Sequence, residues 1–469
     1  MSGFPAELGR NPEPDCRKGE LTGLPIAERR VFLGNFTCEL EWGKEWFRAQ
    51  SSQSLQLSTE GGALLVSLTD RLRPLNAGLA WSWLPMVQPG DLVLGVESPA
   101  GLSLQSGFPF LPRSRWQGIE FRRELPDGAA GTLVPWGWTL TASELARRLG
   151  RPPAIPSPAV VATVNSRSQR WEWEQELGIA LPGSRLIARL ADLPPALQAL
   201  PEPAAGWILK ANFGMSGREA IRGTGTTVTE PQRRFVEQRL AATGPLVLEP
   251  LLNAVAEAGV QWELSATGTI TLVGVAEQVA AGGSWQGSRW SNEPVPPAWS
   301  EAIEATQRVA QRVAAAGYFG PLGIDVMRYR DAAGRERLRP LQDLNARFTM
   351  GRLTLAWRDW LPAGWSGAWR VLPGGIAQIV REFCDEVARA GEQDVRAWLT
   401  TPTWAPAGAM QGKEGSTRPP TRGASQRPLS RGPASQLPPV RLLLAAADPV
   451  RLQQLEEAVA ARRASLAGG

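Results

Sequence analysis

The passage Leu322-Gly323-Ile324-Asp325-Val326-Met327-Arg328-Tyr329-Arg330, the turn Asp331-Ala332-Ala333-Gly334, and Arg337-Leu338-Arg339-Pro340-Leu341-Gln342-Asp343-Leu344-Asn345 decide the fold. Two apolar-rich runs flank residues that suit a chain reversal, so the passage predicts a β-hairpin over 322–330 and 337–345. Residues two apart in a strand share a face, so Asp343 and Asn345 project together and the hairpin brings Asp325 alongside. Hard oxygen ligands of this kind suit a Mg²⁺ ion that phosphates also hold. Arg347 points the same way and would neutralise a phosphoryl group in transfer. Apolar Leu344 between the polar residues argues against a merely exposed hairpin face.

Upstream, the strand 206–210 ends at Lys210 and runs into Ala211-Asn212-Phe213-Gly214-Met215-Ser216-Gly217-Arg218. A lysine at a strand end, followed by a Gly/Ser loop, can place one cation and several backbone N–H groups around a polyphosphate. A plain hairpin turn suits the same residues. The lysine precedes the glycines, so this is not a Walker A loop, and it lacks the Rossmann spacing too. A helix near 231–242 leads to a strand at 245–249, which Glu249-Pro250-Leu251-Leu252 leaves, with Glu257 eight residues later. A carboxylate at that point is either solvated or an acceptor for an adenine amino group or a ribose. Between and beyond these pieces, Ser166 and Gln169 cap a helix through Leu177. Residues 260–266 and 270–275 form a hairpin around Thr267-Gly268, and a helix runs from Ser300 to Gly317.

In this order and spacing the pieces resemble the ATP-grasp superfamily over about residues 160–355. More loosely, the region 30–150 is similar to its Rossmann-like pre-ATP-grasp domain. With Pro135-Trp136-Gly137-Trp138 and Asn165-Ser166-Arg167, the wording looks closest to bacterial ATP-grasp proteins outside the named ligases. The resemblance implies an α/β (α+β) fold of two α+β subdomains behind a Rossmann-like domain, with ATP and Mg²⁺ as cofactors. It implies that Lys210 contacts the ATP phosphates and that the loop with Gly214, Ser216 and Gly217 closes over them. Glu249 and the backbone near Leu251 would hold adenine, and Glu257 the ribose. Asp325, Asp343 and Asn345 would bind the metal, while Arg347 would face phosphate or acyl phosphate. Arg167 stands nearest to the place of a second family lysine, and Asp343 stands where the family usually has Glu. Arg289 is a candidate for holding a substrate carboxylate. The activity implied is a carboxylate–amine (or carboxylate–thiol) ligase acting on small molecules through an acyl phosphate. A nucleotide-binding scaffold without turnover is the alternative.

Composition narrows the chemistry. The 469 residues contain no histidine, which excludes Ser-His-Asp and Cys-His catalysis and His-ligated zinc. Cys16, Cys38 and Cys384 match no zinc spacing and are expected as buried thiols in a reducing, cytoplasmic setting. Only four lysines occur (Lys18, Lys44, Lys210, Lys413), so each merits inspection. The twenty tryptophans are expected as core fillers. No apolar run suits a membrane span.

The net charge is +5, but 401–440 holds Lys413, Arg418, Arg422, Arg427 and Arg431 against Glu414 alone. Nearly all the excess therefore lies in one Pro/Gly-rich tether, and specific nucleic-acid binding is not expected. The organisation expected is an arm (1–28), a Rossmann-like domain (29–158), an ATP-grasp domain (159–400), a linker (401–439) and a strand–helix tail (440–469). Short strands near 63–66, 91–96 and 132–138 look like buried parallel strands. Thr141 and Glu144 have capping-box spacing for a helix ending at Gly150. The tail, with Asp448 as N-cap and Pro449 at the first helical position, docks on the body or on a protein partner.

Overall fold

Four short strands near the start, β1 (Arg30–Leu33), β2 (Leu92–Leu94), β3 (Glu120–Arg122) and β4 (Thr132–Pro135), pair in the order β3-β2-β1-β4, all parallel. Val31, Phe32, Leu92 and Val93 are fully buried, as expected for strands covered on both faces. The computed structural model describes residues 29–50, 76–96, 107–150, 154–214, 219–281, 284–293, 295–402 and 439–467. The strand expected at 63–66, the N-terminal arm, Cys16 and nearly all of the linker lie outside the described residues. Helix α1 (Cys38–Gln50) follows β1, and helix α2 (Leu140–Arg148) follows β4. The cap of α2 is Thr139, not Thr141: its hydroxyl accepts from the Ala142 N–H at 3.1 Å. Ser166 does cap helix α3 (Arg167–Glu176), accepting from Gln169 N–H at 3.2 Å.

A second sheet is small and antiparallel. Strands β5 (Arg185–Ile187), β6 (Trp207–Lys210), β7 (Ala220–Gly223) and β8 (Leu246–Pro250) pair in the order β5-β8-β6-β7. Helix α4 (Glu230–Thr243) connects β7 to β8, and the loop after Lys210 lies inside the β6–β7 hairpin.

The third sheet has eight strands: β9 (Asn253–Leu264), β10 (Ile270–Ala281), β11 (Ser284–Trp290), β12 (Gly320–Arg330), β13 (Glu336–Asn345), β14 (Ser366–Leu372), β15 (Val395–Leu399) and β16 (Val440–Ala446). Their order is β13-β12-β9-β10-β11-β14-β16-β15. The predicted β12–β13 hairpin forms around Asp331–Gly334, whose Oδ1 of Asp331 accepts from Ala333 and Arg335 N–H. The tail belongs to the body: β16 is buried between β14 and β15, and helix α5 (Pro449–Ala467) packs beside it. Tryptophans 42, 83, 299, 357 and 369 are all but fully buried, as the core-filler reading expects. Among the described residues, no helix is long and apolar enough to cross a membrane.

Candidate active site

Strand β6 ends at Lys210, and β13 carries Asp343 towards the same place. The Lys210 ammonium donates to the Gln342 carbonyl at 3.4 Å. Arg167, the first residue of α3, bridges the two sides: Nη1 donates to the Ala211 carbonyl at 2.8 Å and Nη2 pairs with Asp343 Oδ2 at 2.7 Å. The helix start is itself pinned here, since Ser168 N–H donates to Asn212 Oδ1 at 2.9 Å. Lys210 and Asp343, far apart in sequence, therefore lie close together.

Gly214 marks where the loop leaves this region. A Cβ on it would stand 2.7 Å from the Glu219 side chain and 3.0 Å from Arg167 Nη1. Ser216 and Gly217 lie outside the described residues.

The hairpin register sets Asp325 directly opposite Asp343. Like charges so placed are destabilising unless something neutralises them. Asp325 accepts from Gln278 Nε2 at 3.0 Å and from Asn345 Nδ2 at 3.1 Å. Burial, and then the Asp343 charge, push its carboxyl up to about 7. Asp343 shows the opposite balance. Burial would raise it, but Arg167, Arg170 and Lys210 hold it down at about 2. Gly259, the partner of Asp325 on β9, carries no side chain here, and a Cβ on it would lie 2.7 Å from Gln261 Nε2 and 3.6 Å from Asp325 Oδ1. Two close carboxylates and an amide oxygen are the hard oxygen donors that suit a divalent cation.

Arg347 completes the group. It donates to Asn345 Oδ1 at 2.8 Å and pairs with Glu39 Oε1, from α1, at 2.7 Å. Its guanidinium sits 5.6 Å from the centre of the Trp136 ring. Glu39, Trp42, Arg167, Gly214, Asp343 and Arg347 line one small cavity, so the Rossmann-like region contributes to the site.

Three expected site residues, Glu249, Leu251 and Arg289, sit differently. Glu249 is neither solvated nor free for adenine: its carboxylate is buried and bonded by Lys210 (2.9 Å), Arg339 (2.7 Å) and Arg170. The Leu251 N–H is also taken, donating to the Gly206 carbonyl at 3.0 Å. Glu257 is half-buried and accepts from Gln342 Nε2 at 2.8 Å. Arg289 does not face Asp325. Gln278 reaches Asp325, and Arg289 is the cross-strand partner of the preceding residue, Glu277, so it projects from the other face of the sheet. There it pairs with Glu456 of α5 at 2.7 Å.

Sequence reasoning passed over Arg170, Glu174, Arg339, Gln278 and Glu39. Only Arg170 and Glu174 carried a signal, an i,i+4 spacing on one helix face.

A parallel sheet, a small antiparallel sheet bearing Lys210 and a large antiparallel sheet bearing Asp325, Asp343 and Asn345 make up a mixed α/β fold. Over 225 residues the chain is 26% identical to an L-propargylglycine–L-glutamate ligase of Streptantibioticus cattleyicolor, covering 44% of this chain and 46% of that protein. The chain thus spans about half the length of the curated relative it matches. No family model matches the chain. Among solved structures, the Staphylococcus aureus N5-carboxyaminoimidazole synthetase complexed with ADP aligns over 93% of this chain and 96% of that one, at 11% identity and a TM-score of 0.49. A Bacillus licheniformis L-amino acid ligase aligns over 92% and 97%, at 11% identity and a TM-score of 0.43.

Proposed function

We propose that this chain is an ATP- and Mg²⁺-dependent ligase that joins a small-molecule carboxylate to an amine. The observation that carries the reading is the convergence of Lys210, Arg167 and the Asp325–Asp343 pair in space. Lys210 and Arg167 supply positive charge for a triphosphate. Asp325, Asp343 and Asn345 would hold Mg²⁺, which supplies charge neutralisation for the phosphates when bound. A substrate carboxylate oxygen attacks the γ-phosphorus, the bond to the β-bridging oxygen breaks, and ADP leaves. The amine nitrogen then attacks the acyl carbon, phosphate departs, and the nitrogen loses a proton. Phosphoryl transfer to an ionised carboxylate needs no general base, which agrees with a chain lacking histidine. Arg347 lies where it can neutralise charge on the transferring group. The amino-acid ligase relative supports an amino-acid-like substrate pair. The buried, unpaired Cys38 and Cys384 support a cytoplasmic setting.

ADP release with Mg²⁺, ATP and a panel of carboxylates and amines tests this reading. Substrate-stimulated ADP is expected. Lys210→Ala should weaken ATP binding, and Asp343→Ala with Asn345→Ala should abolish Mg²⁺-dependent transfer. ATP binding with no stimulated ADP across a broad panel would favour the scaffold. Unchanged binding and turnover in the variants would overturn the site.

A further inference from the structure

Behind Lys210 lies a charge cluster that no part of the proposed reaction uses. The side chains of Arg170 (1% exposed), Glu174 (2%), Glu249 (2%) and Arg339 (3%) are sealed, whereas Lys210 keeps 14%. The lysine is the cluster's open edge. The two oxygens of Glu249 divide their partners: Oε1 serves Arg339 and Arg170, and Oε2 pairs with Lys210. The arginines are themselves anchored. Arg339 donates to the Leu341 carbonyl at 3.3 Å and meets Glu174 at 3.3 Å, while Arg170 donates to the Gln342 carbonyl. Arg170 comes from α3 and Arg339 from β13, whereas Glu249 and Lys210 belong to the small sheet. The cluster therefore fixes the small sheet against the strand that carries Asp343.

We propose that Glu249, locked by Arg170 and Arg339, is a positioning residue for Lys210, fixing the ammonium near Asp343 and keeping it charged for a triphosphate. This rests on the reading of Lys210 as the phosphate-binding group. The groups facing Lys210 are Glu249 on β8, Arg170 and Glu174 on α3, and Arg339 and Asp343 on β13. Burial draws its ammonium down to about 8, with the Glu249 charge opposing and Arg170 and Arg339 adding to the fall. Loss of Glu249 and loss of Arg339 must then act in opposite directions.

The test is calorimetric titration of the full chain with Mg²⁺ and adenylyl imidodiphosphate from pH 7 to 9.5. Wild-type affinity should fall as pH rises through about 8. In Glu249→Gln the midpoint should move down by about one unit, making binding roughly fivefold weaker at pH 8. In Arg339→Met it should move up. A structural role alone would weaken both variants at every pH without moving the midpoint, and that result would overturn the proposal. If Glu249→Gln does not fold, the upward shift in Arg339→Met decides the matter, and an unmoved midpoint there refutes it. Failure of the wild type to bind the nucleotide at any pH would instead sink the Lys210 reading, and the positioning role with it.

Discussion

Strand β13 carries two clusters built from the same residue types but balanced in opposite ways. At Arg339, three cations surround Glu249, which is held well below the usual carboxylate range by Arg339, Lys210 and Arg170 against the cost of burial. At Asp343, two carboxylates face each other across the hairpin; Arg167 pairs with one of them, and two amides bond the other. The first cluster is sealed except at Lys210, although Arg170 Nε and Glu174 Oε2 find no hydrogen-bond partner, and its contribution is geometric. The second is short of positive charge, and its deficit is what a cation would fill. Surplus charge at a functional site is the informative feature, not the presence of acids and bases as such.

The largest effect should come from breaking the sealed cluster. Glu174→Ala leaves Arg170 and Arg339 sharing one carboxylate in a buried place. Removing one partner of a buried ion pair costs about 3–5 kcal/mol, and urea unfolding should show a loss of that size. A loss no larger than that of a surface substitution would mean that the cluster is not the electrostatic unit described above.

A smaller effect, of opposite sign, should come from the acidic face. The folded Asp325 carboxyl titrates near 7 against an ordinary 3.8, so between about pH 4 and 7 the native state holds more of the proton than the unfolded state. Stability from this group is therefore present at low pH and falls as pH rises through that window. In EDTA, Asp325→Asn should gain stability relative to wild type between pH 5 and pH 8. A wild-type-minus-variant difference that stays flat across that range would contradict the picture of an under-neutralised pair.

Much of this was legible in local sequence. The Asp331–Gly334 turn announced the hairpin, but the register it sets would put Asp325 opposite Leu341; an irregularity between Met327 and Asp325 shifts the pairing to Asp343, and no local pattern reports it. Lys210 stood out because lysine is so scarce in the chain. Arg170 and Arg339 could not stand out in the same way, because arginine fills nearly every basic role here and burial of a cation is decided by distant strands. Arg289 failed for a related reason. Its residue type suited an anion, but the β10–β11 pairing turns it to the far face, and no local pattern reports that pairing. Thr139 and Thr141 competed for one cap, and backbone geometry chose the earlier: Thr139 is extended, with φ −129° and ψ 171°. The insertion of β16 between β14 and β15 joins segments about forty residues apart across the linker. Its apolar run announced a buried strand but not its neighbours.

The smallest effect provides the control for the comparison. Arg189 and Asp192 make an ion pair of 2.9 Å, the same length as Lys210–Glu249. The Arg189 side chain is 81% exposed, however, whereas Glu249 is 2% exposed. Water screens the first pair and offers each charge nearly as good a partner, so distance alone has little value there. Arg189→Ala should leave the thermal midpoint unchanged within error, and added salt should not distinguish it from wild type. A clear fall in the midpoint would show that pair geometry, not burial, governs ionic stabilisation in this chain, and the contrast between the two clusters of β13 would then need a different cause.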